Sequence, residues 1–553
     1  MTTPTTADLL KYADLQMAAE ALLVQDAATG LLKSNLKDAL VEGNGHNSRF
    51  TALQADAFLD PTNGWSVLAQ KANTATGFSG TLFKNNKTGE LVVSLRSTEF
   101  VDDAARDNQA TNVLEIREFG WAFGQIDDMK QWVDSLYASG KVPASNPLSV
   151  TGYSLGGHLA TAFNLLYPGA VQATYTFNGA GVGKVNSGSL TQVIAQFERQ
   201  RMNVSGNEIA FTDPQASIFY NQMRTKLVGG VAPTLADIDN ATLLVGNVEE
   251  ARLLRTALER IKSVVDEVTR VAGIVSGGPA LTDIDATKLD YQLAALLAGR
   301  STSSVRTNVA LGGWDAYAGR NPAPGGAIPN FYDVFGAAPP SAVANSQLHY
   351  GTATPVFIED QPLYRGSILL DAAVESLRNA EAKLLVSDYA NSDFGDTHSL
   401  VLLVDSLSVQ HALAKLDSTV KAETLSTILN AASNAKSASI SGTQGKADGD
   451  SLENVVKGLA KVLNVEIEPM SAKLEGNTWA DAQDRTLFHE NIKKLLDSPA
   501  FEALKEKVKL EPAHSALAAR SDFLAFLSLK QGATFSARLG SGAAVPDALQ
   551  SGS

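Results

Sequence analysis

The stretch LSVTGYSLGGHLATAFNLL, residues 148–166, decides the fold. A short apolar run ends in Gly152-Tyr153-Ser154-Leu155-Gly156, and a helical pattern rich in small residues follows. A serine between two glycines, after a strand and before a helix, has the pattern of a nucleophile elbow. In such a turn the serine hydroxyl is lifted clear of the sheet. Gly152 and Gly156 leave room for the turn and for close strand–helix packing, and the Leu155 N–H faces the place where an oxyanion would develop. The pentapeptide alone is a weak signal. Between LSV and GHLATAFNLL it reads as a nucleophile, Ser154, rather than as an ordinary turn.

The surroundings fit that reading. Upstream, TGFSGTLFKN and GELVVSLRST flank NKTG as a β-hairpin, with Leu91 to Leu95 a buried strand. Residues 122–138 suit an amphipathic helix. Downstream, VQATYTFNGAGVG (171–183) reads as a strand entering a glycine-rich loop. Strand–helix–strand alternation predicts an α/β fold with a mostly parallel central sheet.

The organisation predicted for the whole chain has five parts. Residues 1–60 form an N-terminal helical segment, with 8–41 helical through Leu9, Leu10, Tyr12, Ala13, Met17 and Leu22. The core occupies 61–184 and resumes over 326–430, where AIPNFYDVFGA and ATPVFIEDQ carry strand signal and 371–385 reads as a helix. Between them, 185–325 is a large, mainly helical insertion. Its EEARLLRTALERIKSVVDEVTRVAGIV places Leu254, Leu258, Ile261, Val265 and Val268 on one face, which suits a packed helix; its position suggests a cap or lid. Small polar residues make 431–450 a linker, and 451–553 reads as a helical C-terminal region.

Composition narrows the functional classes. The 553 residues exceed the ~100–200 of a typical single domain. A hydrophobic content of 44% supports a full core. Lys and Arg number 45 against 59 Asp and Glu, a net charge of −14, which argues against a nucleic-acid partner. Cysteine is absent, so disulfides, thiolate catalysis and Cys-based zinc sites are excluded. MTTPTTADLLKYADLQMAAEALL has neither a basic start nor a continuous apolar stretch, which argues against a Sec signal peptide. No apolar run reaches the ~18 residues that would suggest a transmembrane segment. KADGDS (446–451) lacks the ligand run of a calcium loop and reads as linker.

A serine hydroxyl needs a base. Seven histidines are available. In α/β folds built on this elbow the order is Ser, then acid, then His, which eliminates His46. His158 lies on the helix that follows the serine and reads as structural, while His489 and His514 fall beyond the linker. His411 sits inside an amphipathic helix. His398, in FGDTHSLVLLVDSL, lies on a loop running into an apolar element and is the favoured base; His349 is the alternative. Asp333, at the end of a β-like run before a Pro-containing loop, is the favoured acid, with Asp213 and Asp360 as rivals.

Four stretches together resemble the class 3 lipases, the fungal-lipase-like branch of the α/β-hydrolases. They are LVVSLRSTEF, VTGYSLGGHLA, TYTFNGAGVG and FYDVFGAAPPSAVANSQLHYGTATPVFIED, and the likeness covers about residues 60–183 and 328–410. It implies an α/β-hydrolase fold with Ser154 as nucleophile, Asp333 as orienting acid and His398, in DTHSL, as base. It also implies that Thr98 and Leu155 form the oxyanion hole and that His349 belongs to a non-catalytic His-x-Gly. The chain departs from the family at Tyr153 (usually His), at Ser97 (usually Gly) and at Asn178-Gly179, and its insertion is far longer than a simple lid.

The activity expected is serine carboxylic ester hydrolysis through an acyl-enzyme, on acylglycerols or other lipid-like esters, without metal or cofactor. Phospholipase A-type activity and a non-catalytic binding module are the alternatives. The expected partners are the ester or lipid substrate and, through the cap, a transient lipid interface. The chain also resembles catalytic parts exported in one step, so secretion by a signal-peptide-free route is expected, with the cytoplasm as the alternative.

Overall fold

A computed structural model describes residues 4–98, 120–203, 328–335, 348–358, 399–418, 451–470 and 482–510, apart from a few internal positions. It also describes scattered positions within 111–116, 213–258, 318–319, 425–429 and 538–544. The architecture is α/β, built on a seven-stranded sheet. The strands are β1 (Trp65–Lys71), β2 (Gly80–Asn85), β3 (Leu91–Leu95), β4 (Leu148–Tyr153), β5 (Val171–Phe177), β6 (Phe331–Phe335) and β7 (Thr352–Pro355). Their spatial order is β7-β6-β5-β4-β3-β2-β1. Strands β3 to β7 pair in parallel, and the β1–β2 and β2–β3 pairs are antiparallel.

Period-two patterning sorts the side chains onto two faces. Leu91, Val93, Leu95, Leu148 and Val150 point to one core, where α2 (Phe123–Ala138), α3 (Leu155–Leu166) and α4 (Leu190–Asn203) pack through residues such as Ile126, Leu159 and Phe197. Leu254 and Leu258, placed on one face by the sequence, are buried in this same core. Val92, Tyr153, Tyr175, Phe177 and Val334 point to the other face, which is covered by α1 (Thr6–Glu20) and α5 (Leu400–Leu416). The far side of α5 seeds a third cluster with α6 (Ser451–Leu463), α7 (Ala482–Leu496) and α8 (Pro499–Leu510). Helix α5 is therefore apolar nearly all round because it is covered on both sides.

Two expectations change. The helix expected over 8–41 ends at Glu20; the paired short strands Val24–Asp26 and Leu31–Leu32 follow, and then a helix over Leu36–Glu42. Gly30, at φ 68°, supports the turn between those strands. Edge strand β1 has no counterpart in the sequence reading: its burial does not alternate cleanly, and a bulge interrupts it between Val67 and Ala69. The expected helix 371–385 and the linker 431–450 lie outside the described residues. Among the described residues no helix is long and apolar enough to cross a membrane.

Candidate active site

Ser154 stands where β4 becomes α3, with φ 53° and ψ −120°. A non-glycine residue held there is strained, by roughly 1–3 kcal/mol. The surroundings enforce the conformation. Ser154 N–H donates to Phe177 O at 3.1 Å, and Ser154 O accepts from the N–H groups of Gly157 and Ala180, each at 2.9 Å. The flanking glycines are required sterically: a Cβ at Gly152 would strike the Gly156 carbonyl, and one at Gly156 would strike the Leu95 carbonyl. Gly157 is equally tight, against the Cα of Gly179. The first turn of α3 is thus pressed against the end of β3 and the loop after β5.

Leu155 is the first residue of α3, so no carbonyl four residues back is available to its N–H. Thr98, three residues beyond β3, is half-buried, and its hydroxyl accepts from Asn112 Nδ2 at 3.1 Å. Both residues flank the contact between Gly156 and the end of β3.

Asp333 sits in the middle of β6, in register with Thr176 of β5, which is in turn in register with Gly152 of β4. Its carboxylate is therefore two strands from the elbow and level with the residue two before Ser154. One carboxylate oxygen accepts the Thr176 hydroxyl at 2.7 Å. The other lies 3.1 Å from His349 Nδ1. Leu348, exchanging two backbone hydrogen bonds with Val182, anchors His349. Gly351, at φ 88°, lies where a Cβ would strike the Phe331 carbonyl. His349 Nε2 is buried without a hydrogen-bond partner among the described residues. His398, the base expected from the sequence, lies outside the described residues, as do His46, His514 and Asp360. Of the histidines weighed, the one that meets Asp333 in the described structure is His349.

The remaining candidates have other partners. His158 is fully buried, with Nε2 accepting the Ala122 N–H at 3.1 Å and Nδ1 2.8 Å from Gly181 O. Burial pulls its pKa down to about 4, against the opposing bond to Gly181, so it is a neutral structural imidazole at pH 7. His411, on α5, is also lowered to about 4, by burial and then by Lys415. His489 lies 2.8 Å from Asp405 in the third cluster. Asp213 accepts the N–H groups of Gln215 and Asn247, a loop-capping role.

The sequence reading missed Thr176 and Glu20. Thr176 was legible in principle, because TYTF alternates and its threonines share the face of Asp333. Glu20 lies four residues beyond Gln16 and eight beyond Tyr12, so all three share one helical stripe. No grouping of His, Asp and Glu suited to a metal ion occurs among the described residues. No protein-family model matches the sequence, and a search of curated proteins finds no match.

Proposed function

We propose that the chain is a serine carboxylic ester hydrolase with an α/β-hydrolase fold, as the likeness to class 3 lipases implies. The observation that carries this reading is Ser154 at φ 53° on a glycine-walled strand-to-helix turn, a strained conformation at a polar residue. In the reaction, Ser154 Oγ attacks the ester carbonyl while an imidazole takes its proton. The N–H groups of Thr98 and Leu155 stabilise the oxyanion. The protonated imidazole then hands its proton to the leaving alcohol, and water releases the acyl group by the reverse sequence. Asp333 orients the imidazole.

Its place on a loop running into an apolar element, and the likeness of DTHSL to the lipase motif, favour His398 as the base. A second reading, with His349 as the base, is favoured by its 3.1 Å approach to Asp333. A carboxylate has about four acceptor positions, so one imidazole on Asp333 leaves room for another. The substrate class proposed is lipid-like: acylglycerols first, phospholipids second. Leu235, Leu243 and Leu244 on the helix Leu235–Leu244, and Val248 beyond it, are exposed apolar side chains in the inserted segment and support an apolar ligand or surface. Secretion belongs to the same reading.

The test is hydrolysis of p-nitrophenyl esters across acyl lengths, together with labelling by a fluorophosphonate. The expected result is turnover and labelling that both vanish in Ser154→Ala. A folded wild-type protein that neither labels nor turns over any ester overturns the reading. The base is assigned by comparing His398→Gln with His349→Gln. A loss of ~10⁴ in kcat confined to the first supports His398, and the reverse moves the role to His349.

A further inference from the structure

The geometry points to Glu20, the last residue of the N-terminal helix, as a positioning residue for the proposed oxyanion loop. This inference rests on the hydrolase reading and deepens it. Glu20 is fully buried. One oxygen of its carboxylate accepts the Ser97 N–H at 3.0 Å, and the other accepts the Ser97 hydroxyl at 2.8 Å. Both donors of the residue preceding Thr98 are thus held by one side chain. Gln16, one helical turn earlier, completes the frame. Its Nε2 donates to Glu20 at 2.7 Å and to the Leu95 carbonyl at 3.0 Å, and its Oε1 accepts the Ser94 hydroxyl at 2.8 Å.

The frame clamps the chain from Ser94 to Ser97, the segment whose Leu95 carbonyl lies against Gly156 of the elbow. Ser97 occupies a position where the class 3 lipases usually have glycine. Here its hydroxyl is the second point of attachment to Glu20, so the side chain stabilises the loop's shape. On balance burial raises the pKa of Glu20, and the nearby Arg96 and the hydrogen bonds from Ser97 and Gln16 offset part of that shift. A carboxylate gripping both an N–H and an O–H restrains rotation of the peptide that leads into Thr98. Oxyanion donors depend on such restraint, because a displacement of ~1 Å is enough to lose much of their effect.

The experiment is steady-state hydrolysis of p-nitrophenyl butyrate by the full chain and by Glu20→Ala, Glu20→Gln and Ser97→Ala, with folding followed by circular dichroism and thermal melting. Glu20→Ala is expected to lower kcat about ten- to a hundred-fold, with KM changed less than about three-fold. Glu20→Gln keeps one acceptor oxygen and is expected to recover most of the rate. Ser97→Ala is expected to lose a few-fold in kcat, and the Glu20→Gln/Ser97→Ala double variant less than the product of the single losses, because both act on one contact. If Glu20→Ala fails to fold, the two near-isosteric variants and their double carry the test. Folded Glu20→Ala and Ser97→Ala with unchanged kcat, or Ser97→Ala alone unchanged where Glu20→Ala does not fold, or a loss confined to melting temperature, overturn the inference and leave the hydrolase reading standing. Wild-type turnover that survives Ser154→Ala overturns both.

Discussion

At the residue scale, Ser154 combines a reactive position with an unfavourable backbone. Glycine adopts φ 53° without a Cβ penalty, and alanine does not. Ser154→Gly and Ser154→Ala are both expected to be inactive, but Ser154→Gly is expected to be the more stable by about 1 kcal/mol. Paired urea denaturation curves check this. Equal midpoints would mean that the elbow is not strained. Gly156→Ala is expected to differ in kind: its Cβ would meet the Leu95 carbonyl, so strand and helix must separate, and both melting temperature and labelling of Ser154 should fall.

At the element scale, α5 shows how far local signals reach. Its sequence, LVLLVDSLSVQHALAKL, is apolar almost throughout, and the structure accounts for this by covering both sides, α1 and the sheet on one and α6 to α8 on the other. Leu403→Ala, at a fully buried position, is expected to cost about 2–5 kcal/mol, read as a shift in urea midpoint at constant slope. The β2–β3 hairpin, the elbow, α2 and β5 were legible in the sequence because each announces itself within a few residues, by a turn, a glycine spacing or a period. Strand β1 was not, because its pattern is blurred by partial exposure and a bulge. The site divides in the same way. Ser154 and its glycines could be read locally. The approach of His349 to Asp333 could not, since it depends on the register of β6 and on the Leu348–Val182 bridge, which joins segments far apart in sequence.

At the scale of the whole molecule, ionic groups tie the C-terminal helices to α5 and to the N-terminal segment. Arg485 of α7 donates twice to Asp405 Oδ1, at 2.8 and 3.1 Å, and once to Oδ2 at 2.9 Å, and it also donates to the Arg49 carbonyl. His489 joins on the same carboxylate at 2.8 Å. Burial raises the pKa of Asp405, but Arg485 and His489 outweigh it and hold the carboxyl well below its usual range. Arg485→Ala leaves that buried charge short of its main partner and is expected to destabilise by about 3–5 kcal/mol, measured by denaturation. Asp14 of α1 shares the neighbourhood. Burial pushes its pKa up to about 7, against Arg485 and with help from Asp405. The folded state then keeps a proton that the unfolded state has lost between about pH 4 and 7, so this group's contribution to stability falls as pH rises through that window and is flat above it. Asp14→Asn removes the slope. Its stability relative to wild type is expected to rise by up to ~1.4 kcal/mol per pH unit from pH 4 to 7, checked by melts at several pH values. A constant difference would mean that Asp14 titrates normally.

The 80 residues separating Asp405 from Arg485 impose a delay on the nascent chain. At ~5–20 residues per second, a ribosome takes on the order of ten seconds to deliver the arginine after the aspartate. Until then α5 presents Val409, Leu413 and Leu416 without α7 and α8 to complete their cover, beside a carboxylate awaiting its counter-ion. A growing polypeptide halted between these points would offer chaperones and proteases an apolar helix face, although all seven described strands of the sheet had already been made.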